Sequence, residues 1–593
     1  MNFFKQVLAT IVGLTIFQVI SFLMLMIFIG LIASSFGDGG GSSRGLKTIA
    51  DNSLLVLKLD YDIEERDGYS PFDLNNLENI SQEKAGLQSL LEAIEHAQNN
   101  DKIKGIYMDL SFTPNAYASL DVLRQALNEF KASGKFIIAY GEMIDQKSYY
   151  LASVADRLYA NPEGYIELRG IGARLTFYKK LLEEKLDAEV QVFKVGEYKS
   201  AVEPFIQEGM SEANREQMTY LLQGIKEDFV NNIANERNIA PEDFDSILDS
   251  LLALDPKEAA KLDIIDGTRY FDEVLGELKE NLGISPNDDI ESISLNDYAI
   301  ATASVNKSSH KIALIYAEGS IVDGQGDEGS IGGEKFAKQI RAIRTDEDIE
   351  AIVLRVNSPG GSALASEVIW RELELAKSDK PVVVSMGELA ASGGYYISCN
   401  AAKIFAEENT ITGSIGVFGL VPNLEKMLNN KLGITFDDVV LNDHATSNGI
   451  TEKFTDYEAT VIQKNVNKIY ATFTSRVAEG RGLPLEDVLA VASGRVWTGE
   501  QALERGLVDE IGSLDDAIAY AAELAELEDY RLKEYPEVQS PFEQIFAEMG
   551  MSTKEQVMHE NLGPLAPFVQ DIHELYNMNG KVQARMPVSI EIF

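Results

Sequence analysis

A serine followed by two glycines is the residue whose type and setting most directly indicate chemistry in this chain. Ser392 stands in the stretch GELAASGGYYIS, and a related stretch about 246 residues earlier, GEMIDQKSYYLAS, carries Gln146 in its place. A serine that starts a helix directly after a buried strand lies where the helix N–H groups and dipole stabilise a developing oxyanion. The pattern predicts a nucleophile at Ser392, with an N-cap serine as the alternative.

A glycine-rich turn distinguishes the same half of the chain. Residues 357–362 read NSPGGS directly after an apolar run, where the earlier half has SFTPNAY. A Pro-Gly-Gly turn leaves backbone N–H groups exposed and lets a substrate approach closely, because glycine has no Cβ. An ordinary strand-to-helix turn is the alternative. Because this turn and Ser392 follow adjacent strands, on the expected ligand side of a parallel sheet, together they predict a nucleophile with an oxyanion hole.

A serine nucleophile needs a base, and histidine is scarce in this sequence. The five histidines are scattered, and His444 is the only loop candidate near the later half. Lysine can serve if burial lowers its pKa from about 10.4 toward roughly 7 to 8. Lys199 lies between apolar and aromatic neighbours in VGEYKSAVEPF, and aligning the helices that follow places it opposite Asp443 and His444. A solvated surface lysine is the alternative for Lys199.

The elements that must position these residues occur twice. The strand-like run IKGIYMDL at residues 103–110 matches IEAIVLRV at 349–356, and each is followed by a helical segment, at 120–131 and 363–377. A second strand, KFIIAYGE against KPVVVSMGE, and a helix opening at the Tyr-Tyr pair come next. Strands alternate with helices throughout, which predicts an α/β fold with right-handed crossovers in each of two tandem repeats.

Bulk properties exclude several classes of function. The net charge of −42 over 593 residues argues against nucleic acid as a partner, because no basic surface could neutralise phosphates. The single cysteine, Cys399, excludes an intramolecular disulfide framework, and we assign it no role. The scattered histidines show no ligand spacing, so we expect neither a metal site nor a cofactor.

Both ends of the chain differ from the repeats. Residues 7–35 carry no charge and exceed the roughly 20 apolar residues that span a bilayer, which predicts an uncleaved transmembrane anchor. Residues 36–48 then read as a flexible tether. The repeats are expected at 49–300 and 301–530. The tail, 531–593, contains PFEQIFAEM and APFVQDIHELY, whose apolar spacing predicts short amphipathic helices.

The motifs NSPGGS, GELAASGGYYIS, ITGSIGVFG and GEYKSAVEPF together resemble the long, duplicated form of the signal peptide peptidase A family. The resemblance covers nearly the whole chain, including the anchor. It implies a Clp protease/crotonase-type fold in each half and a serine/lysine dyad. By motif position, Ser392 would be the nucleophile and Lys199 the general base.

The resemblance also implies roles for three neighbouring residues. Gly393 and Gly361 would stabilise the oxyanion through their backbone N–H groups. Ser414, in TGSIGV, would orient the lysine amine, and its counterpart in the first repeat is Leu168.

The resemblance further implies a setting and a substrate. The expected protein is a membrane-anchored homotetramer that degrades cleaved signal peptides and other short hydrophobic peptides by acyl-enzyme hydrolysis. Its body would face the periplasm from the inner membrane of a bacterium, held by a single transmembrane pass. Whether Ser392 and Lys199 meet within one chain or across subunits stays open at this point.

Two rival functions remain. A crotonase-like acyl-CoA enzyme would stabilise a thioester enolate with the same pair of glycine N–H groups and would need no covalent serine. A membrane-tethered scaffold with a vestigial dyad would assemble normally and turn over no peptide. Labelling of Ser392 by a fluorophosphonate favours the peptidase, whereas binding of coenzyme A favours the first rival.

Overall fold

The computed structural model describes residues 49–69, 83–303, 307–327, 329–537, 578, 581–586 and 591–592. The predicted anchor at 7–35, the tether at 36–48 and the two amphipathic segments of the tail lie outside these ranges. Within them, we find no helix with the length and apolar character needed to cross a membrane.

The first repeat alternates strands and helices, as its sequence pattern predicts. Its strands are β1 (Ser53–Leu57), β2 (Gly68–Tyr69), β3 (Glu83–Lys84), β4 (Ile103–Leu110), β5 (Phe136–Ile144), β6 (Arg157–Ile166), β7 (Ala173–Arg174), β8 (Glu189–Val195), β9 (Gly267–Thr268) and β10 (Ser292–Ser294). Its α-helices are α1 (Leu87–Asn99), α2 (Tyr117–Ala132), α3 (Gln146–Ala152), α4 (Glu203–Ile206), α5 (Glu212–Arg237), α6 (Pro241–Ser250), α7 (Pro256–Lys261), α8 (Phe271–Leu282) and α9 (Leu295–Thr302). A π-helical turn at Leu181–Lys185 and a 3₁₀ turn at Leu252–Leu254 complete it.

The second repeat and the tail follow the same alternation until the last strands. Their strands are β11 (Lys311–Glu318), β12 (Ser320–Val322), β13 (Ser330–Gly332), β14 (Ile349–Ser358), β15 (Gly360–Ser362), β16 (Val382–Ala391), β17 (Lys403–Ala406), β18 (Ile411–Gly413), β19 (Val417–Asn423), β20 (Val496–Trp497), β21 (Glu510–Ile511), β22 (Arg531–Tyr535), β23 (Val582–Arg585) and β24 (Glu591–Ile592). Their helices are α10 (Gly333–Thr345), α11 (Ala363–Lys377), α12 (Gly393–Ser398), α13 (Glu425–Leu432), α14 (Asp456–Arg481), α15 (Leu485–Val491), α16 (Gly499–Leu503) and α17 (Leu514–Leu524).

Each repeat builds its own sheet, and the strands of both sheets are parallel except β20, which pairs antiparallel with β18. The first has the order β10-β1-β4-β5-β6-β9, and the second has β20-β18-β16-β14-β11-β22 with β17 also paired to β16. The central strands β4 and β14 are the apolar runs that mark the duplication, and both are largely buried, as strands covered by helices on both faces must be. The predicted α/β fold with tandem repeats is therefore confirmed. The second sheet also takes in β22, a strand of the tail that pairs with β11.

A third sheet combines both repeats with the tail. Its order is β13-β12-β15-β23-β19-β8, so that β8 of the first repeat and β23 of the tail join four strands of the second. Strand β8 runs antiparallel to β19 along its whole length, from Val195 opposite Val417 to Glu189 opposite Asn423. This pairing carries the segment that follows β8, which contains Lys199, into the second repeat.

Candidate active site

Ser392 occupies the position that its sequence setting predicts. It follows the last residue of β16 and is the N-cap of α12, with φ 56° and ψ −109°. The positive φ is a strained conformation for a residue with a side chain, and such strain persists only where the surroundings impose it. Its hydroxyl makes no capping hydrogen bond to the helix. The alternative of an ordinary N-cap serine therefore does not describe this residue.

Lys199 brings its amine to that hydroxyl. Its Nζ lies 2.8 Å from Ser392 Oγ, 3.0 Å from Ser414 Oγ and 3.0 Å from the Ser414 carbonyl oxygen. The residue has 0% exposed surface, so the alternative of a solvated lysine is wrong. Both residues belong to the same chain, which answers the question that the sequence left open.

The environment of the amine favours its neutral form. Burial holds the pKa of Lys199 well below its ordinary value. A neutral amine has two hydrogens and one lone pair. The two oxygens of Ser414 can accept the two hydrogens, which leaves the lone pair directed at the Ser392 hydroxyl. The geometry thus fits an amine that accepts a proton from Ser392.

Two glycines and a glutamine hold the lysine in place, and the sequence analysis identified none of them. A Cβ on Gly494 would lie 2.7 Å from the Lys199 backbone, and one on Gly416 would lie 3.2 Å from its Cδ. Gln217 donates a hydrogen bond of 2.9 Å to the carbonyl oxygen of Tyr198, the residue before the lysine. The run Ser-Gly-Arg before β20 marks Gly494 only as a turn residue, so the sequence did not indicate its contact with Lys199.

The Pro-Gly-Gly turn lies against the start of α12. A Cβ on Gly361 would lie 1.9 Å from the carbonyl oxygen of Ile321, and one on Gly360 would lie 2.5 Å from the amide nitrogen of Gly393. Gly360 also has φ +89°, and its own amide donates to Ser358 Oγ. Only glycine fits where the turn packs so closely against the start of α12. This close packing brings the two predicted oxyanion donors, Gly361 and Gly393, to one edge of the site.

Ser414 lies where its expected role requires. It is fully buried, has φ 51°, and its amide donates to the Arg495 carbonyl oxygen at 2.7 Å. Its two oxygens accept from the lysine amine, as described above. Ser392 and Ser414 both have a positive φ, which is a strained conformation for serine. The sequence alone does not show this strain.

The first repeat fills the equivalent position with an amide. The Oε1 atom of Gln146 accepts hydrogen bonds from the backbone N–H groups of Arg169 and Gly170, both at 2.9 Å, and its Nε2 donates to the Tyr117 hydroxyl. This side chain cannot act as a nucleophile, and its polar groups are satisfied within the repeat. The first repeat therefore contributes the lysine and no second serine site.

The other candidates from the sequence lie apart from this chemistry. His444 Nδ1 contacts Glu458 Oε1 at 2.7 Å, and the half-exposed imidazole stacks on Tyr457. Burial raises the pKa of the Cys399 thiol to about 12, which makes it unreactive. Within the described part of the chain, His, Cys, Asp and Glu side chains form no group of three that could hold a metal ion.

Comparison with known families matches both repeats. The sequence model of "Peptidase family S49" matches residues 129–285 and 374–528, one stretch in each repeat. A second model, described as "Clp protease", matches residues 303–411, which contain the Pro-Gly-Gly turn and Ser392. The duplication predicted from the sequence is thus found independently.

Individual relatives are similar over most of the chain. "Protease 4" of Salmonella typhi is 38% identical over 478 residues, which cover 79% of this chain and 76% of the relative. "Protease 4" of Haemophilus influenzae is 34% identical over 527 residues, or 84% of each chain. "Serine protease SPPA, chloroplastic" of Arabidopsis thaliana is 32% identical over 449 residues, covering 74% of this chain and 66% of the relative.

Proposed function

The chain belongs to peptidase family S49 and is a serine peptidase, and on that premise we propose that Ser392 and Lys199 form its catalytic dyad. The observation that carries the proposal is the 2.8 Å separation of Lys199 Nζ and Ser392 Oγ in a fully buried setting. Neither rival function uses this pair, because an enolate enzyme needs no nucleophile and a scaffold needs no neutral amine.

The first half of the reaction forms an acyl-enzyme. Ser392 Oγ attacks the carbonyl carbon of the scissile peptide bond while its proton passes to Lys199 Nζ. The carbonyl oxygen becomes an oxyanion, which accepts hydrogen bonds from the N–H groups of Gly361 and Gly393. Lys199 then gives the proton to the leaving amine as the C–N bond breaks. The product is an ester between Ser392 and the amino-terminal fragment.

The second half releases that fragment. Lys199, again neutral, takes a proton from a water molecule whose oxygen attacks the ester carbonyl. The oxyanion uses the same two N–H groups, and Ser392 Oγ leaves with the proton from Lys199. Ser414 keeps the amine aimed at Ser392 through both halves, because its two oxygens hold the amine hydrogens.

The substrate and the setting are part of the same proposal. We place the enzyme at the inner membrane of a bacterium, anchored through residues 7–35, with its body in the periplasm and its substrates among cleaved signal peptides and other short hydrophobic peptides. The charge-free run at 7–35 and the motif resemblance support this, since a tethered peptidase reaches peptides left in the bilayer. The resemblance also supports a homotetramer.

Hydrolysis of a short soluble peptide by the body from residue 46 onward tests the dyad. Wild type should cleave the peptide and become labelled by a fluorophosphonate at Ser392, whereas Ser392→Ala should do neither. Ser398→Ala is the matched control, because Ser398 lies on the same buried helix and donates to the Gly394 carbonyl oxygen. Equal activity of wild type and Ser392→Ala would remove the nucleophile assignment.

A further inference from the structure

Tyr198 comes directly before Lys199 in the loop that follows β8, residues 196–202, which we call the lysine loop. The Tyr198 amide donates a hydrogen bond of 3.0 Å to the Ser493 carbonyl oxygen, and its carbonyl oxygen accepts one of 2.9 Å from Gln217. These two bonds fix the main chain of Tyr198. Its half-buried side chain is held by a different set of groups.

The guanidinium of Arg495 lies over the ring of Tyr198, with its Cζ 4.8 Å from the ring centre. Its Nη1 lies 3.1 Å from Glu216 Oε1, and the Tyr198 hydroxyl donates to the same carboxylate oxygen at 3.3 Å. A guanidinium is attracted to the face of an aromatic ring, and its planar shape suits stacking. Ring, guanidinium and carboxylate thus form a closed set of contacts around the Tyr198 side chain.

Two further rings fix the direction of the Arg495 guanidinium. Its Cζ lies 4.7 Å from the ring centre of Trp497 and 5.3 Å from that of Tyr220. These two rings pack edge to face, and the buried indole of Trp497 donates to the Val491 carbonyl oxygen at 3.1 Å. Because Tyr220 belongs to α5 of the first repeat and Trp497 to β20 of the second, both repeats hold the guanidinium in place.

The main chain of Arg495 contacts the other side of the site. Its carbonyl oxygen accepts the hydrogen bond from the Ser414 amide, and the neighbouring Gly494 packs against the Lys199 backbone. Arg495 therefore contacts the lysine loop through its side chain and the serine that orients the amine through its main chain. The side chain is the part that a substitution can remove.

Burial of the Lys199 amine makes an anchor on this loop necessary. Within the described part of the chain, no carboxylate pairs with the amine, whose partners are the oxygens of Ser392 and Ser414. Burial without an opposite charge favours the neutral form, whereas an amine that reaches water regains its proton and its hydration. Hydration of the ammonium thus favours any movement of the loop that exposes the amine, and contacts elsewhere on the loop must oppose it.

We propose that Arg495 is a positioning residue of this peptidase, whose guanidinium holds the ring of Tyr198 and thereby keeps the Lys199 amine buried beside Ser392. As a statement about catalysis, the inference rests on the dyad proposed above. Arg495 acts on the amine through Tyr198 and takes no part in the proton transfer itself.

Loss of the guanidinium should slow the chemical step and leave substrate binding unchanged. Arg495→Ala should lower kcat for a short peptide by about tenfold or more, with KM within about twofold of wild type, because displacing a reacting group is costly. Arg505→Ala is the matched control. The Arg505 guanidinium lies 4.0 Å from the ring centre of Trp497 in the same cluster, and its side chain is 21% exposed against 18% for Arg495. Among the described residues it makes no stacking contact with Tyr198, so kcat of this variant should stay within about twofold of wild type.

Tyr198 offers a second pair of variants, which decides the question if Arg495→Ala does not fold. Tyr198→Phe keeps the ring beneath the guanidinium and should keep kcat within about twofold, whereas Tyr198→Leu removes the ring and should lose about as much as Arg495→Ala. Because the two side chains act through one contact, the double variant should be no slower than either single variant. A folded Tyr198→Leu chain as fast as Tyr198→Phe would contradict the proposal.

The pH profile distinguishes a displaced lysine from a general loss of structure. When the amine gains access to water, its pKa moves back toward the ordinary value of lysine. The rising limb of kcat/KM in Arg495→Ala should therefore shift to higher pH by about half a unit or more, and the loss of rate should shrink as the pH rises. A loss by the same factor at every pH would mean a purely structural role for Arg495, against the proposal.

Chemical labelling of Lys199 separates this inference from the dyad itself. Full-length chains are treated with formaldehyde and dimethylamine-borane, and mass spectrometry follows methylation of Lys199 relative to the exposed Lys104. Labelling of the buried Lys199 requires the loop to open. Its relative rate should be about tenfold or more higher in Arg495→Ala than in wild type, and unchanged in Arg505→Ala.

The labelling result stands whether or not the dyad does. Equal labelling of Lys199 in wild type, Arg495→Ala and Tyr198→Leu would overturn the positioning role, whatever the rates of hydrolysis. Faster labelling in these variants, in an enzyme whose Lys199→Ala form still cleaves peptide, would remove the dyad and leave Arg495 as the residue that holds the lysine loop.

Discussion

The amine of Lys199 and the hydroxyl of Ser392 lie 2.8 Å apart, although they come from different repeats of one chain. The antiparallel pairing of β8 with β19 makes this possible, because it carries the lysine loop of the first repeat beneath the serine of the second. Each repeat therefore contributes one residue of the proposed dyad, and neither repeat contains both. The first repeat has Gln146 at the position equivalent to Ser392. The side-chain oxygen of Gln146 accepts hydrogen bonds from two backbone N–H groups of the same repeat.

Replacing the lysine with another cation tests whether it must lose its proton. Lys199→Arg should be inactive in peptide hydrolysis, with a loss of about 10⁴-fold or more, because a guanidinium with a pKa above about 12 cannot take the serine proton. Lys199→Ala should lose a similar amount, because lysine and serine act as one unit. Initial rates with purified chains check this, with size and circular dichroism as controls for folding. Substantial activity of Lys199→Arg would show that charge, not basicity, is what Lys199 supplies.

The pH dependence of hydrolysis should follow the same amine. Burial lowers the pKa of Lys199, and only the neutral form accepts the proton. Protonation adds a third hydrogen, which takes the place of the lone pair directed at Ser392. The rate should therefore rise with pH through the lowered pKa and reach its plateau at neutral to alkaline pH. A kcat/KM profile measured with chemistry shown to be rate-limiting checks this, and a flat profile would rule out Lys199 as the titrating base.

The sequence predicted the parts of this protein that depend on local pattern. The apolar runs predicted the central strands, and the duplication predicted two sheets. The two glycines after Ser392 predicted that this serine follows the end of a strand, which is β16. The contact between Ser392 and Lys199 could not be derived from local pattern, because it depends on how β8 crosses to the other repeat. The motif resemblance named both residues, and only the fold brings them together.

Other features left no sequence signal strong enough to read. Gly494 is one glycine among 46, and its importance depends on the backbone of Lys199 passing beside it. The strand β23 reads VQAR, which alternates apolar and polar residues over four positions only. So short an alternation is weak evidence for a strand, and β23 forms by pairing with β15 on one side and β19 on the other. Elements of this kind are specified by tertiary contacts and are not visible in local composition.

Substitution of Gly494 should reveal how tightly the lysine loop is packed. Gly494 has φ +84°, and a Cβ there would lie 2.7 Å from the backbone of Lys199. Gly494→Ala must therefore displace the lysine, and we expect a loss of about 100-fold or more in kcat/KM together with a destabilisation of about 1 to 3 kcal/mol. Initial rates and urea unfolding measure the two effects.

Gly482→Ala is the matched control for that substitution. Gly482 also has a positive φ, of +63°, but a Cβ there would meet open space. This variant should lose about 1 kcal/mol of stability from the backbone conformation alone and keep its activity. Equal activities of the two alanine variants would show that the approach of Gly494 to Lys199 does not matter for catalysis.

The contact between the repeats should make stability depend on pH through Asp121. This carboxylate of the first repeat accepts hydrogen bonds from the Tyr150 hydroxyl and from Asn409 Nδ2 of the second repeat. Burial, and then the nearby charge of Asp228, raises the pKa of Asp121 to about 7. The unfolded chain has the ordinary value of about 3.9. The folded state thus binds the proton more tightly, and the stabilisation that this provides is fully present below about pH 4 and is lost as the pH rises through about 7.

Asp121→Asn removes the ionisation while keeping the shape of the side chain. Between about pH 5 and pH 8, the free energy of unfolding should change less in the variant than in wild type. The difference between the two changes should be on the order of 1 to 3 kcal/mol. Urea unfolding at the two pH values, followed by circular dichroism, measures the difference. Because burial also raises the pKa of Asp228, which accepts a hydrogen bond from the same Asn409 amide, part of the pH dependence should remain in the variant. Parallel slopes for Asp121→Asn and wild type would mean that Asp121 does not take up its proton on folding.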